Sequence, residues 1–107
     1  MHSDGNIESV LDMFIEAKID AINPIEPKAG MDIIKLKKKY AKKLSFIGGI
    51  CNARVLPQGN KEEIAKQVRS VIELGKEGGV ILAAHSIGPD IPVENYDWAI
   101  GVYRKYR

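Results

Sequence analysis

Gly78-Gly79-Val80-Ile81-Leu82-Ala83-Ala84-His85 decides the fold. A glycine pair opens the stretch, apolar residues follow without alternation, and a histidine closes it. A strand that is apolar at successive positions is one expected to be covered on both faces, as parallel strands of α/β proteins are. Leu44-Ser45-Phe46-Ile47, ending at Gly48-Gly49, reads in the same way. Asp20-Ala21-Ile22-Asn23 is a shorter strand, predicted to stop at Pro24. Helical patterns separate the strands. Ile7, Val10, Leu11, Phe14 and Ile15 recur at helical spacing behind Asn6, a good N-cap. After a loop from Pro24 to Gly30, a second helix is predicted from about Met31 to Lys43, burying Ile33, Leu36 and Tyr40. Asn60 and Glu63 form a capping-box-like pair that opens a third, with Ile64, Val68, Val71 and Ile72 on one face. The last helix begins near Pro92 and is predicted to bury Trp98, Ala99, Val102 and Tyr106.

The order α-β-α-β-α-β-α predicts an α/β fold with three parallel strands, four helices and right-handed crossovers. Each β/α unit takes roughly 30 residues. The chain is therefore less than half of a (β/α)8 barrel, which needs about 250 residues. Met1-His2-Ser3-Asp4-Gly5-Asn6 reads as the exit of a further strand, with almost no strand before it. A three-stranded parallel sheet alone would leave open edges. The expected architecture is a partial TIM (β/α)8 barrel: a fragment, a truncated gene product, or a chain that associates to complete its sheet.

Composition narrows the function classes. The net charge of +2 does not demand a nucleic-acid or membrane partner. Cys51 is the only cysteine, so no disulfide framework forms within the chain, which suits a reducing compartment. No apolar run approaches the roughly 20 residues of a membrane span, and the polar residues after Met1 do not read as a secretory leader. A cytoplasmic protein is expected. The run Lys35, Lys37, Lys38, Lys39, Lys42 and Lys43 reads as a solvated helix face whose cations suit the negative end of the dipole.

Chemistry-bearing residues gather at the strand exits. His2 and Asp4 are spaced i, i+2, which puts both on one face of an extended segment. An imidazole and a carboxylate so placed could bind a metal such as zinc or hold a proton-transfer pair. The bland alternative is an Asp-Gly-Asn turn that caps the first helix, with His2 exposed. His85 follows the most apolar strand and precedes Ser86, Gly88, Pro89 and Asp90, the position where barrels place functional side chains. Gly48 and Gly49 permit close approach by a ligand or unusual dihedrals. Cys51 and Asn52 lie just beyond them. Cys51 is a soft metal ligand or, more simply, a small half-buried residue. Asn23 could hydrogen-bond a ligand and Glu26 could accept a proton, while Pro24 and Pro27 could merely stiffen the loop.

Taken in order, several motifs resemble the C-terminal part of the uroporphyrinogen decarboxylase superfamily, which also contains corrinoid-dependent methyltransferases. They are His2-Ser3-Asp4-Gly5-Asn6, Asn23-Pro24-Ile25-Glu26-Pro27 with Met31-Asp32, and Leu44 to Ile50. The set continues with Gly59 to Ile64, Gly78-Gly79-Val80-Ile81-Leu82, and His85-Ser86-Ile87 leading to Pro92-Val93-Glu94-Asn95. The resemblance implies the last portion of a (β/α)8 barrel across residues 1–107. In the decarboxylase branch, the histidine after the final strand lines the porphyrinogen pocket, and His85 matches it; no cofactor is implied. That branch places its essential Asp and anion-binding Arg residues in the N-terminal half, and this sequence has no counterpart to them. It also favours an Asp-Trp pair near Ile22-Asn23 and an Asp where Cys51 stands, and this chain departs from both.

In the methyltransferase branch, a His-x-Cys motif and a later Cys bind zinc, which activates a thiol acceptor, with a corrinoid as methyl donor. His2 matches the His, Asp4 replaces the first Cys, and His85 or a near neighbour stands where the last Cys would be. The resemblance thus implies a site of His2, Asp4 and His85 with an open fourth position. The Asn-Pro-x-Glu-Pro loop is similar to this second branch. The expected partners are an N-terminal half-barrel or a second copy, together with a corrinoid protein.

Overall fold

The computed structural model describes residues 1–107. It is α/β. Strands β1 (Ala21–Ile25), β2 (Ser45–Ile50) and β3 (Val80–Ala84) pair in parallel in the order β1-β2-β3. The helices are α1 (Leu11–Glu16), α2 (Ile33–Tyr40), α3 (Val55–Gln58), α4 (Lys61–Gly75) and α5 (Val93–Tyr106), with 3-10 turns at Glu8–Val10 and Pro27–Ala29. This alternation is compatible with part of a (β/α)8 barrel. No helix is long and apolar enough to cross a membrane.

β3 occupies the residues its apolar run predicts, and α4 starts where its cap predicts. Asn60 Oδ1 accepts from the Glu63 amide at 2.9 Å, while Glu63 Oε2 accepts from the Asn60 amide at 3.1 Å. Other elements depart from expectation. There are five α-helices, not four. α3 is a single turn, too short to show a helical period, and it tolerates Pro57 because first-turn amides have no partner within the helix. Its Val55 and Leu56 are buried.

β1 does not stop at Pro24 but runs to Ile25. Proline lacks the N–H that a ladder uses, and the pairing skips here: Ile22 aligns with Phe46, and the next pair, Ile25 with Gly48, is shifted by one residue in register. β2 likewise runs through the glycine pair. Gly48 adopts φ 142° against the β1 backbone, and a side chain there would stand 2.5 Å from the Ile25 nitrogen. α2 is shorter than its sequence pattern. Asp32 caps it by accepting from the amides of Ile34 (2.9 Å) and Lys35 (3.3 Å). It ends at Tyr40, after which the extended backbone of Ala41 and the positive φ of Lys42 turn the chain away.

One sheet face is covered. Ile22 and Phe46 pack with Leu11, Leu36, Ile64 and Val68 in the core. The alternate residues Ala21, Asn23, Ser45, Ile47 and Ala83 are only half-buried, and Ile81 is 58% exposed. The expectation that β2 and β3 are covered on both faces is thus corrected: α2 and α4 pack on one face and leave the other open. α5 departs as well. Of its predicted buried face only Val102 is buried, while Trp98 and Tyr106 are exposed. The helix flanks α4 instead of being sandwiched, and the Trp98 indole donates to the Lys61 carbonyl at 2.8 Å.

Candidate metal centre

The site forms where the open face meets the C-terminal ends of the strands. His2 makes an isolated parallel bridge to Asn23, so the first residues run beside the outer edge of β1. Two backbone hydrogen bonds fix this pairing, from the Asn23 amide to the Met1 carbonyl and from the Ser3 amide to the Asn23 carbonyl, both at 2.9 Å. His85 leaves β3, on the opposite side of the sheet. In a flat sheet those two segments would stand roughly 14 Å apart, at about 4.8 Å per strand. Instead, His85 Nε2 lies 2.9 Å from Asp4 Oδ1, and the two imidazole centroids are 5.8 Å apart. The two segments thus approach far more closely than a flat sheet allows.

Asp4 sits between the histidines, with its Oδ1 3.6 Å from His2 Nε2. The positive φ of Gly5 turns the chain immediately afterwards, and Asn6 Oδ1 accepts from the Glu8 amide at 3.1 Å. Asn6 anchors the start of the helical segment, and Asp4 remains free to face the histidines. Its side chain is 60% exposed, that of His2 61% and that of His85 29%. Entry from solvent is open, and His85 has the least exposed side chain of the three.

These residues fit a divalent metal. One ligand atom from each of His2, Asp4 and His85 lies within 4.8 Å of the others. Tetrahedral zinc with bonds of about 2.0–2.1 Å puts neighbouring donors about 3.3 Å apart. Rotation of exposed side chains closes that difference. Two imidazoles and a carboxylate are borderline-to-hard donors that suit zinc and related first-row ions, and three protein ligands leave a position open.

The other sequence-predicted residues fall in different surroundings. Asn23 joins the centre, with its Oδ1 2.9 Å from His2 Nδ1. The Glu26 carbonyl accepts from the amides of Ala29 (3.1 Å) and Met31 (3.3 Å), closing a 3-10 turn, and its carboxylate is not in the cluster. Gly48 lies against Ile25, and Gly49 against Val71 and Ile33, so both glycines are accounted for by internal packing. Cys51 is a core residue, more buried than either sequence reading held, and its amide donates to Gln67 Oε1 at 3.0 Å. Sequence reasoning gave no role to Asn52. Its Nδ2 donates to the Ser86 carbonyl (3.3 Å) and hydroxyl (3.2 Å), tying the end of β2 to the loop that carries His85. Its only sequence signal was its position just beyond a strand exit.

Residues 1–106 match the family described as Uroporphyrinogen decarboxylase (URO-D). The chain belongs to the uroporphyrinogen decarboxylase family. No curated protein and no solved structure matches it. The URO-D match spans all three strands and every residue of the candidate centre, so the cluster is built on the family's own scaffold.

Proposed function

We propose that this URO-D family chain contributes one wall of a metal-dependent methyl-transfer pocket. His2, Asp4 and His85 would hold zinc, and a corrinoid would serve as methyl donor. The observation that carries the reading is the convergence of three ligand atoms, from segments at opposite sides of the sheet, to within 4.8 Å. Zinc, when bound, supplies Lewis-acid chemistry that favours the deprotonated form of a thiol acceptor. The chain's own residues prepare the site. Asp4 meets the His85 ring and faces that of His2, Asn52 holds the His85 loop, and the exposed side of the cluster admits an acceptor.

Catalysis belongs to a completed assembly in this reading. The unpaired outer edge of β3, the exposed Ile81 and the half-buried Ile47 favour closure by an N-terminal half-barrel or a second copy, with a corrinoid protein docking at the same end. A second reaction, porphyrinogen decarboxylation, draws on one observation: His85, the most sheltered residue of the cluster, stands at the exit of the last strand, positioned to line a pocket. The test incubates zinc-loaded chain, alone and mixed with an N-terminal half-barrel of the family, with methylcobalamin and a thiol. Methyl transfer confined to the mixture is expected. Loss of carboxyl groups from uroporphyrinogen, with no methyl transfer, would favour the second reaction.

A further inference from the structure

We infer that Asn23 is a positioning residue that sets the tautomer of His2 and so turns its Nε2 lone pair toward Asp4. This rests on the metal-site reading for its consequence, though not for the tautomer itself. An amide oxygen only accepts hydrogen bonds, so the 2.9 Å contact between Asn23 Oδ1 and His2 Nδ1 requires the proton on Nδ1. A neutral imidazole carries one such proton, which leaves Nε2 with its lone pair free. The competing arrangement puts the proton on Nε2, aimed at Asp4. The Asp4 oxygen, however, is 3.6 Å away, beyond hydrogen-bond range. The nearer acceptor wins.

The backbone explains why Asn23 is always beside His2. The two residues are direct partners in the parallel bridge, and the hydrogen bonds on either side of His2 reach the amide and the carbonyl of Asn23 itself. Side chains at partnered positions stand next to each other on one face of a sheet. Asn23 is half-buried, with its neighbour Ile22 in the core, so it forms a fixed reference for an exposed imidazole. Hydrogen bonding at the far nitrogen is how proteins fix the tautomer and ring direction of a metal-binding histidine. Remove Asn23, and the acceptor at Nδ1 is lost while the Asp4 carboxylate remains beside Nε2; the proton then favours Nε2 and must be displaced before a metal can bind.

The test reads the tautomer directly. Long-range 1H–15N correlation spectra of the metal-free full chain, at mildly alkaline pH, resolve the ring nitrogens, and the chain has only His2 and His85 to assign. Wild-type His2 is expected with Nδ1 protonated. Asn23→Ala is expected to move the proton to Nε2 and to weaken zinc binding about 10–100-fold. Asn23→Asp, which keeps the acceptor, is expected to restore both. Circular dichroism checks folding; should Asn23→Ala not fold, the wild-type and Asn23→Asp spectra still decide. A wild-type His2 protonated on Nε2, or an alanine variant with unchanged tautomer and zinc affinity, overturns the inference. The expected tautomers in a wild-type chain that binds no zinc would support the role of Asn23 and defeat the metal reading instead.

Discussion

Replacing Gly48 by alanine should destabilise this chain far more than its small size as a change suggests. Two costs add. The residue sits at φ 142°, a region that side-chain-bearing residues avoid, with a cost of about 1–3 kcal/mol. The new methyl would also stand 2.5 Å from the Ile25 nitrogen and 2.7 Å from its oxygen. Those atoms are backbone, so no rotamer change relieves the clash; β1 and β2 must separate, at about 1–3 kcal/mol as for other overpacked sites. The total is about 2–6 kcal/mol, against about 5–15 kcal/mol of stability for a typical domain. Gly49→Ala is the internal comparison. Its φ is 91°, but the methyl would meet the ends of Val71 (2.9 Å) and Ile33 (3.1 Å), side chains that can shift. Urea unfolding followed by circular dichroism should therefore rank the losses Gly48→Ala above Gly49→Ala, with unchanged slopes. A Gly48→Ala loss below about 1 kcal/mol, or the reverse ranking, would refute the close-approach reasoning.

Gly101 gives the opposite sign: it lies inside α5 with open space around it, so Gly101→Ala should raise stability by about 0.5–1 kcal/mol, seen as a higher Tm. Asn60→Ala removes the side-chain half of the α4 capping box, leaving the Glu63 carboxylate on the residue-60 amide, and should cost about 1 kcal/mol in urea unfolding, whereas Asn60→Asp should retain most of the stability.

What could be read from the sequence follows how local each cause is. β3 was legible end to end, because an apolar run between Gly78-Gly79 and His85 carries its own boundaries. The start of α4 was legible because the Asn60–Glu63 pair is a local device. The ends of β1 and β2 were not. Pro24 and the Gly48-Gly49 pair look like strand breakers alone; β1 continues because Ile25 pairs with Gly48, and β2 because Gly48, Gly49 and Ile50 pair with Leu82, Ala83 and Ala84 of β3. The exposure of Trp98 and Tyr106 was hidden for a similar reason, since it depends on what α5 packs against. In the candidate centre, the i, i+2 spacing placed His2 with Asp4, but nothing in spacing joined His85 to them; family resemblance did. The Asn23–His2 contact had no sequence signal, because it exists only once the first residues lie beside β1.

The most direct measurement is a zinc titration of the metal-stripped chain by calorimetry, repeated on His2→Ala, Asp4→Ala and His85→Ala. If His2, Asp4 and His85 form one centre, the wild type binds a single zinc and each substitution weakens or abolishes that binding while circular dichroism stays unchanged. A folded wild-type chain that takes up no zinc, or one whose zinc affinity survives the loss of His85, would contradict it.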